Sequence, residues 1–297
     1  MEQEKTQTRI FLWGMILSMT CWGFSWTAGK VMTSYGTPMT ISFIRFGCTF
    51  ISLVPLLPLL KARFYIQRKG ILDLCVAASM ISLYTFLFFK GLVTGKAGAG
   101  GVLVTVLNPI VSYGIMLVLA RRRPTRTEAM GLLLGAVAGI ILTRIFTEPS
   151  SMLQAGNIYF LCASFCWAIL SLFTSRSSRY GEPISFSFLM YFISTIIMLF
   201  VAGITPVMET FQRSDTKFWL NMFFSSTITT SLATTFYFFA TARIGASRAS
   251  SFIFLVPFSA AIGSWIFLNE QPEWHTVVGG MLGVAAVLVL NRKPRVE

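Results

Sequence analysis

The sequence predicts an all-α integral membrane protein, with ten transmembrane helices arranged as two inverted five-helix repeats. Three observations carry this expectation. First, 55% of the 297 residues are hydrophobic and only 12% are charged, about half the roughly 25% charged share of soluble domains; the mean hydropathy is +0.70. Second, apolar runs recur from Ile10 to the C-terminus, many near the roughly 20 helical residues that cross a bilayer core of about 30 Å. Third, "LNPIVSYGIMLVLARRRP" (107–124) returns as "LVPFSAAIGSWIFLNEQP" (255–272), with both prolines at the same spacing.

Taken in order, the apolar runs predict helices over 10–32, 38–60, 71–91, 97–119, 128–146, 154–174, 183–205, 217–240, 247–268 and 274–291. Each is closed by a cluster of breakers or charges: TSYGT, KARFYIQRKG, LVTGKA, the arginines before Pro124, TEPSS, SRSSRYGE, PVMETFQRSDT, TARIGA and NEQPE. The first run is not a cleaved signal peptide, because similar runs follow it and no small-residue cleavage site stands out. The connections are short, so no soluble domain is inserted. The predicted organisation is an N-terminal tail (1–9), a first five-helix repeat (10–146), a second (154–291) and a C-terminal tail (292–297).

Ten spans place both termini on one side of the membrane. If that side is the cytoplasm, the inner segments hold seventeen basic residues, including Lys61, Arg63, Arg121, Arg122, Arg123, Arg176 and Arg179. The outer segments hold six: Lys30, Lys90, Lys96, Arg144, Arg213 and Lys217. Basic residues concentrate on cytoplasmic loops, so both tails are expected in the cytoplasm and the chain in the inner (plasma) membrane. The net charge of +13 reflects this bias. Its scatter in short clusters excludes a nucleic-acid surface.

The repeat explains why one copy of the segment ends in arginines and the other does not. At an offset of 148 positions, Leu107, Pro109, Pro124, Gly131, Gly135, Ala138 and Leu142 fall on Leu255, Pro257, Pro272, Gly279, Gly283, Ala286 and Leu290. An offset of 145 places Cys21-Trp22 on Cys166-Trp167. Five helices per copy is an odd number, so the second copy crosses in the opposite sense. The loop after the fourth helix then faces the cytoplasm and carries Arg121, Arg122 and Arg123. Its counterpart faces outward and carries Asn269, Glu270 and Gln271. Inverted repeats enclosing a midplane site are an architecture of alternating-access carriers.

"CWGFSWTAGKV" (21–31), "PMTISFIRF" (38–46) and the two Pro-x14-Pro blocks, followed by "GLLLGAVAGIIL" and "GGMLGVAAVLVL", resemble the EamA branch of the drug/metabolite transporter superfamily. The resemblance covers about residues 10–291. It implies a ten-helix carrier for small organic solutes, often an exporter of amino acids or other metabolites. Alternatives within that class are uptake or exchange of a nucleotide-like or vitamin-like cofactor, or drug export. The first copy departs from the family in having "ARRRP" where a glutamate often precedes the proline.

The residues themselves exclude several chemistries. No GxxxxGK[ST] loop is present, so ATP hydrolysis is not expected. Cys21, Cys48, Cys75, Cys162 and Cys166 show no paired CxxC spacing and are read as apolar packers. No clustered His, Asp, Glu or Cys indicates an enzyme, a metal site or a cofactor. The carboxylates fall in tails, loops and first helical turns, which argues for facilitated transport or exchange over a proton relay through a membrane-buried acid.

Arg45 is the outstanding charge within a span. A charge there costs about 2.5–3.5 kcal/mol on insertion scales, so it should face water, a partner or the interior. It is the candidate anchor for a substrate carboxylate or phosphate. Trp22 with Trp26, Tyr84 with Phe88, Trp167 with Ser171, and Thr234 with Tyr237 and Phe238 share helix faces and could wall an apolar cavity for a small-molecule substrate. Thr105 and Asn108 precede Pro109, whose missing N–H frees a carbonyl. Pro109 and Pro257 are hinge candidates. Glycine stripes allow a monomer or a homodimer in the lipid bilayer. Cysteines introduced into the two tails should both react with a membrane-impermeant maleimide only from the cytoplasmic side; labelling from opposite sides would overturn the ten-span reading.

Overall fold

The computed structural model describes residues 2–63, 65–237 and 252–290. Its long helices are α1 (Glu2–Met32), α2 (Pro38–Leu53), α3 (Ile71–Thr94), α4 (Ala97–Leu119), α5 (Arg126–Thr143), α6 (Asn157–Thr174) and α7 (Pro183–Ala202). Helix α8 opens as the α-helix Thr216–Phe223 and continues as a π-helix over Phe224–Ala233; α9 (Leu255–Leu268) and α10 (Trp274–Leu290) follow. Among the described residues, six helical segments are long and apolar enough to cross a membrane: Pro38–Leu59, Arg68–Thr94, Ala97–Leu119, Arg126–Thr143, Asn157–Arg179 and Pro183–Ala202. Helices α9 and α10 are shorter apolar helices. The expected end of the eighth helix (238–240), the start of the ninth (247–251) and the C-terminal tail lie outside the described residues.

Boundaries differ from expectation for local reasons. Helix α2 stops at Leu53 and a separate turn forms over Leu56–Leu59, because Pro55 and Pro58 have no N–H to extend the ladder. Helix α5 starts earlier than expected: the Thr125 side chain accepts from Glu128 N, while Glu128 accepts from Thr125 N at 2.7 Å, a reciprocal cap. It ends at Arg144, before the expected 146. Residues 204–213, expected mostly as loop, form an amphipathic helix (Ile204–Arg213) that buries Val207 and Thr210 and exposes Ile204, Met208 and Phe211. This is the pattern of a helix lying in a membrane interface.

Exposed Trp13, Val118, Leu133, Phe200 and Phe267 form the apolar exterior that a lipid-embedded protein presents. Inside, Trp26 is 4% exposed and packs edge-on against Phe88 and Phe160, with ring centroids at 4.6 and 5.7 Å. A second cluster joins Phe46, Ile81, Phe186 and Met190 from α2, α3 and α7.

The broadest helix contacts are α5 with α10, α3 with α6, α1 with α9, and α2 with α7. Exchanging each helix for the one five places along maps α1·α9 onto α6·α4, α3·α6 onto α8·α1, and α3·α7 onto α8·α2. All of these contacts are present. The pairs α2·α7, α4·α9 and α5·α10 map onto themselves. The same reciprocity holds at residue level. A Cβ on Gly131 would lie 2.7 Å from Leu290 Cγ, and a Cβ on Gly279 would lie 2.7 Å from Leu142 Cγ. These are the same pair at the 148-residue offset. Because the start of α5 meets the end of α10 and the reverse, the two helices run antiparallel.

Gly131→Ala and Gly279→Ala should each destabilise by about 1–3 kcal/mol, the usual penalty of overpacking, measured as lower melting temperatures in detergent. Gly114, where an added Cβ would meet nothing within 4 Å, gives the contrast. Gly114→Ala should be neutral or stabilising, by up to about 1 kcal/mol of helix propensity.

Candidate functional site

Arg45 lies near the middle of α2 and is half-buried among α3, α7 and α8. Its guanidinium carbon stands 5.4 Å from the Phe88 ring centroid and 5.9 Å from that of Phe89, a cation–π arrangement. Tyr84 and Tyr191 lie within electrostatic range. Its polar contact is a long one, from Nη2 to Thr230 Oγ1 at 3.5 Å. No carboxylate forms an ion pair with it among the described residues.

Two aromatic pairs extend from this charge. Tyr84 of α3 packs on Trp167 of α6 at 4.8 Å between ring centroids, and Trp22 of α1 packs on Tyr237 beyond the π-helix at 5.5 Å. Helices α1 and α6 correspond in the two repeats, as do α3 and α8, so these pairs are counterparts. The Trp22 indole N–H donates to Thr229 O at 3.3 Å. A chain of contacts therefore runs from Trp22 through Thr229 and Thr230 to Arg45, then over Phe88 to Tyr84 and Trp167.

The π-helix of α8 arises from a serine- and threonine-rich run, "FSSTITTSLA". Thr230, Ser231 and Thr234 each return a hydroxyl to the carbonyl five residues earlier: Ser225 at 2.8 Å, Ser226 at 3.2 Å and Thr229 at 3.3 Å. Such hydroxyls compete with the i→i−4 ladder, and π-turns recur at functional sites. The wide turn also brings the Ser231 hydroxyl 2.5 Å from that of Ser52 on α2.

Of the sequence-expected residues, Trp22, Arg45, Tyr84, Trp167, Thr234 and Tyr237 are half-buried in or beside this chain, and Ser171 is half-buried one turn beyond Trp167. Trp26 and Phe88 are only 4% and 2% exposed. Trp26 is core, and Phe88 serves as the ring beneath Arg45. Thr105 returns its hydroxyl to Gly101 O at 2.6 Å. Asn108, with its amide nitrogen as donor, bonds Val104 O at 3.3 Å and Ser164 O at 3.2 Å, tying α4 to α6. Phe238 lies outside the described residues. Pro109 and Pro257 line one small cleft between α4 and α9 with Thr105, Val106, Ile253 and Phe254, three pairs related by the 148-residue offset. Sequence reasoning missed Tyr191, Phe89 and Thr230. Tyr191 carried a signal, a lone phenol in the apolar run "FLMYFI".

At the end of the bundle holding Lys30 and Arg144, the loop 269–273 is tied to the first repeat. Glu273 pairs with Lys96 at 2.6 Å and with Arg144 at 3.3 Å. Glu270 accepts from Ala97 N at 2.7 Å, capping α4. The hydrogen bond from Lys96 holds the Glu273 carboxyl below the ordinary range, whereas burial pushes that of Glu270 up. At the opposite end, Arg122 pairs with Glu128 at 2.8 Å, and Arg176 approaches Asp73 at 3.9 Å.

The model of the EamA-like transporter family matches the chain twice, over residues 9–145 and 154–292. The chain belongs to this family; it is a multi-pass integral membrane protein whose general role is transport. It is similar to the uncharacterized transporter YoaV of Bacillus subtilis, 23% identical over 91% of this chain and 92% of that protein. It is similar to an uncharacterized transporter of Archaeoglobus fulgidus, 21% identical over 94% and 96%. A probable terminal-alkyne amino-acid exporter of Streptantibioticus cattleyicolor is 21% identical over 95% and 93%. One crystal structure aligns over 93% of this chain and 95% of its own with a TM-score of 0.62 at 13% identity, a likeness of fold.

The two loop carboxylates should behave differently. Glu273 is 42% exposed at its side chain, so Glu273→Gln should cost no more than the ~1 kcal/mol typical of surface pairs. Its folded pKa is depressed, so that contribution is present above the unfolded carboxylate pKa and is lost as pH falls through the depressed value. The difference in melting temperature from wild type should therefore vanish in acid. Glu270→Ala removes a helix cap and should cost about 0.5–2 kcal/mol.

Proposed function

We propose that this EamA-like transporter is a secondary carrier of small organic metabolites, amino acids or similar zwitterionic or anionic solutes, working in export by alternating access. In this reading ten spans form two inverted five-helix repeats, with both termini in the cytoplasm and the chain in the inner membrane. The two family matches, the reciprocal glycine contacts and the antiparallel run of α5 against α10 support the inversion. The similarity to a probable amino-acid exporter supports the solute class.

The observation that carries the reading is Arg45, a half-buried arginine inside the bundle with no carboxylate ion pair among the described residues. A charge left unpaired at such depth is expensive, and a solute carboxylate held by its fork would neutralise it. The aromatic pairs Trp22–Tyr237 and Tyr84–Trp167 would wall the apolar part of the solute, in the manner of small-molecule sites generally. The described carboxylates stand near helix ends, in loops or, for Glu209, on the amphipathic helix Ile204–Arg213, which favours facilitated transport or exchange over proton coupling through a buried acid. Movement about the paired proline segments of α4 and α9 would expose the site alternately.

Reconstituted into liposomes, Arg45→Ala and Trp22→Ala should each lower metabolite flux at least tenfold, with folded yield and melting temperature near wild type. Unaltered flux in both variants would remove these residues from the pathway.

A further inference from the structure

Resting on the transport reading and deepening it, we infer that the Arg45 site selects aromatic monocarboxylates over zwitterionic amino acids. A zwitterion brings an ammonium beside its carboxylate, and an ammonium held close to a guanidinium is best compensated by a carboxylate of the protein. Among the described residues the acidic groups are committed elsewhere or lie near the ends of the bundle. Asp73 faces Arg176, Glu128 is held by Arg122 and Tyr113, and Glu148 pairs with Arg144. Asp215 accepts from Tyr35 and Phe218 N, and Glu270 and Glu273 hold the α4 end. Glu182 precedes α7 and Glu209 lies on the amphipathic surface helix. None stands beside Arg45.

An ammonium entering the site would therefore meet a guanidinium and no compensating charge, which is like-charge repulsion in a desolvated place. The rings of Phe88 and Phe89 already receive the guanidinium. A monoanion fits this balance: one negative charge for one positive charge, received by a planar fork. A phosphate dianion would need further cations, and among the described residues the lysines toward the ends of α1 and α3 are engaged elsewhere. Lys30 donates to Leu92 O at 2.5 Å and Gly95 O at 2.9 Å, and Lys90 stands over Tyr159 at the exposed helix end. The rings of Tyr84, Trp167, Trp22 and Tyr237 suit a flat apolar body next to the carboxylate, since offset and tilted aromatic contacts are favourable.

Phenylpyruvate and phenylalanine differ at the α-carbon, where the zwitterion's ammonium stands in place of a keto oxygen, and so isolate the question. Binding to the purified protein is read by thermal shift, and counterflow is read in liposomes at equal solute concentration, with phenyl phosphate as a third arm. The inference expects phenylpyruvate to bind and exchange at least tenfold better than phenylalanine or phenyl phosphate, and Arg45→Ala to abolish that preference. If Arg45→Ala fails to fold, Arg45→Lys keeps the charge without the fork and should weaken phenylpyruvate binding severalfold. Equal or better binding of phenylalanine overturns the inference while leaving transport intact; a preference for phenyl phosphate, or phenylpyruvate binding that survives loss of Arg45, also overturns it. Binding of phenylpyruvate without flux of any metabolite upholds the inference and overturns the transport reading.

Discussion

The close approach of α5 and α10 through their glycines is the contact on which the rest of the arrangement depends. Helices in lipid gain nothing from leaving the solvent, because the acyl chains are as apolar as leucine; association rests on packing, and small residues permit it. Here Gly131 receives Leu290 and Gly279 receives Leu142. A sequence that carries the same glycine and leucine twice, at the same spacing, makes both contacts at once when its two copies run antiparallel. Self-complementarity of this kind holds the halves together and aligns α4 against α9, where Pro109 and Pro257 share one cleft.

From that alignment follows the contrast between the ends and the middle. The repeats keep their packing residues and change their charges. Arg122, beside Pro124, closes on Glu128 within its own loop; Glu270, at the equivalent place, caps α4 across the repeat boundary. The middle has no such pairing. Arg45 has no arginine counterpart in α7, which instead brings Tyr191 near it. Among the described residues the helix contacts of the two halves are thus reciprocal, whereas Arg45 is answered by a tyrosine; in the proposed carrier that asymmetry would let the site hold an asymmetric solute in a single orientation.

Much of this was legible in the sequence because it depends on spacing. Long apolar runs fix helices, and the two Pro-x14-Pro blocks give the register that places Gly131 against Leu290. Arg45 was legible as a charge where charge is expensive. Other features depend on packing and were not. Trp26 and Trp22 share a helical face on paper, yet Trp26 is enclosed between Phe88 and Phe160 while Trp22 remains half-buried beside Thr229; four residues of spacing cannot separate a core ring from a wall. The segment Ile204–Arg213 reads largely as loop in the sequence because it is short and mixed in polarity, and the amphipathic period only matters beside an interface.

The π-helix of α8 was hidden for a different reason. Helical periodicity in "FSSTITTSLA" reads the same for α and π winding over so short a run, so the apolar pattern does not choose between them. The hydroxyls do. Each of Thr230, Ser231 and Thr234 reaches a carbonyl five residues back, and a turn of that width puts Thr230 against Arg45 and Ser231 against Ser52. The polar run in α8 therefore has a physical role that accounts for its composition: it presents hydroxyls to α2, Thr230 to the guanidinium of Arg45 and Ser231 to Ser52, and offers that charge a neutral partner.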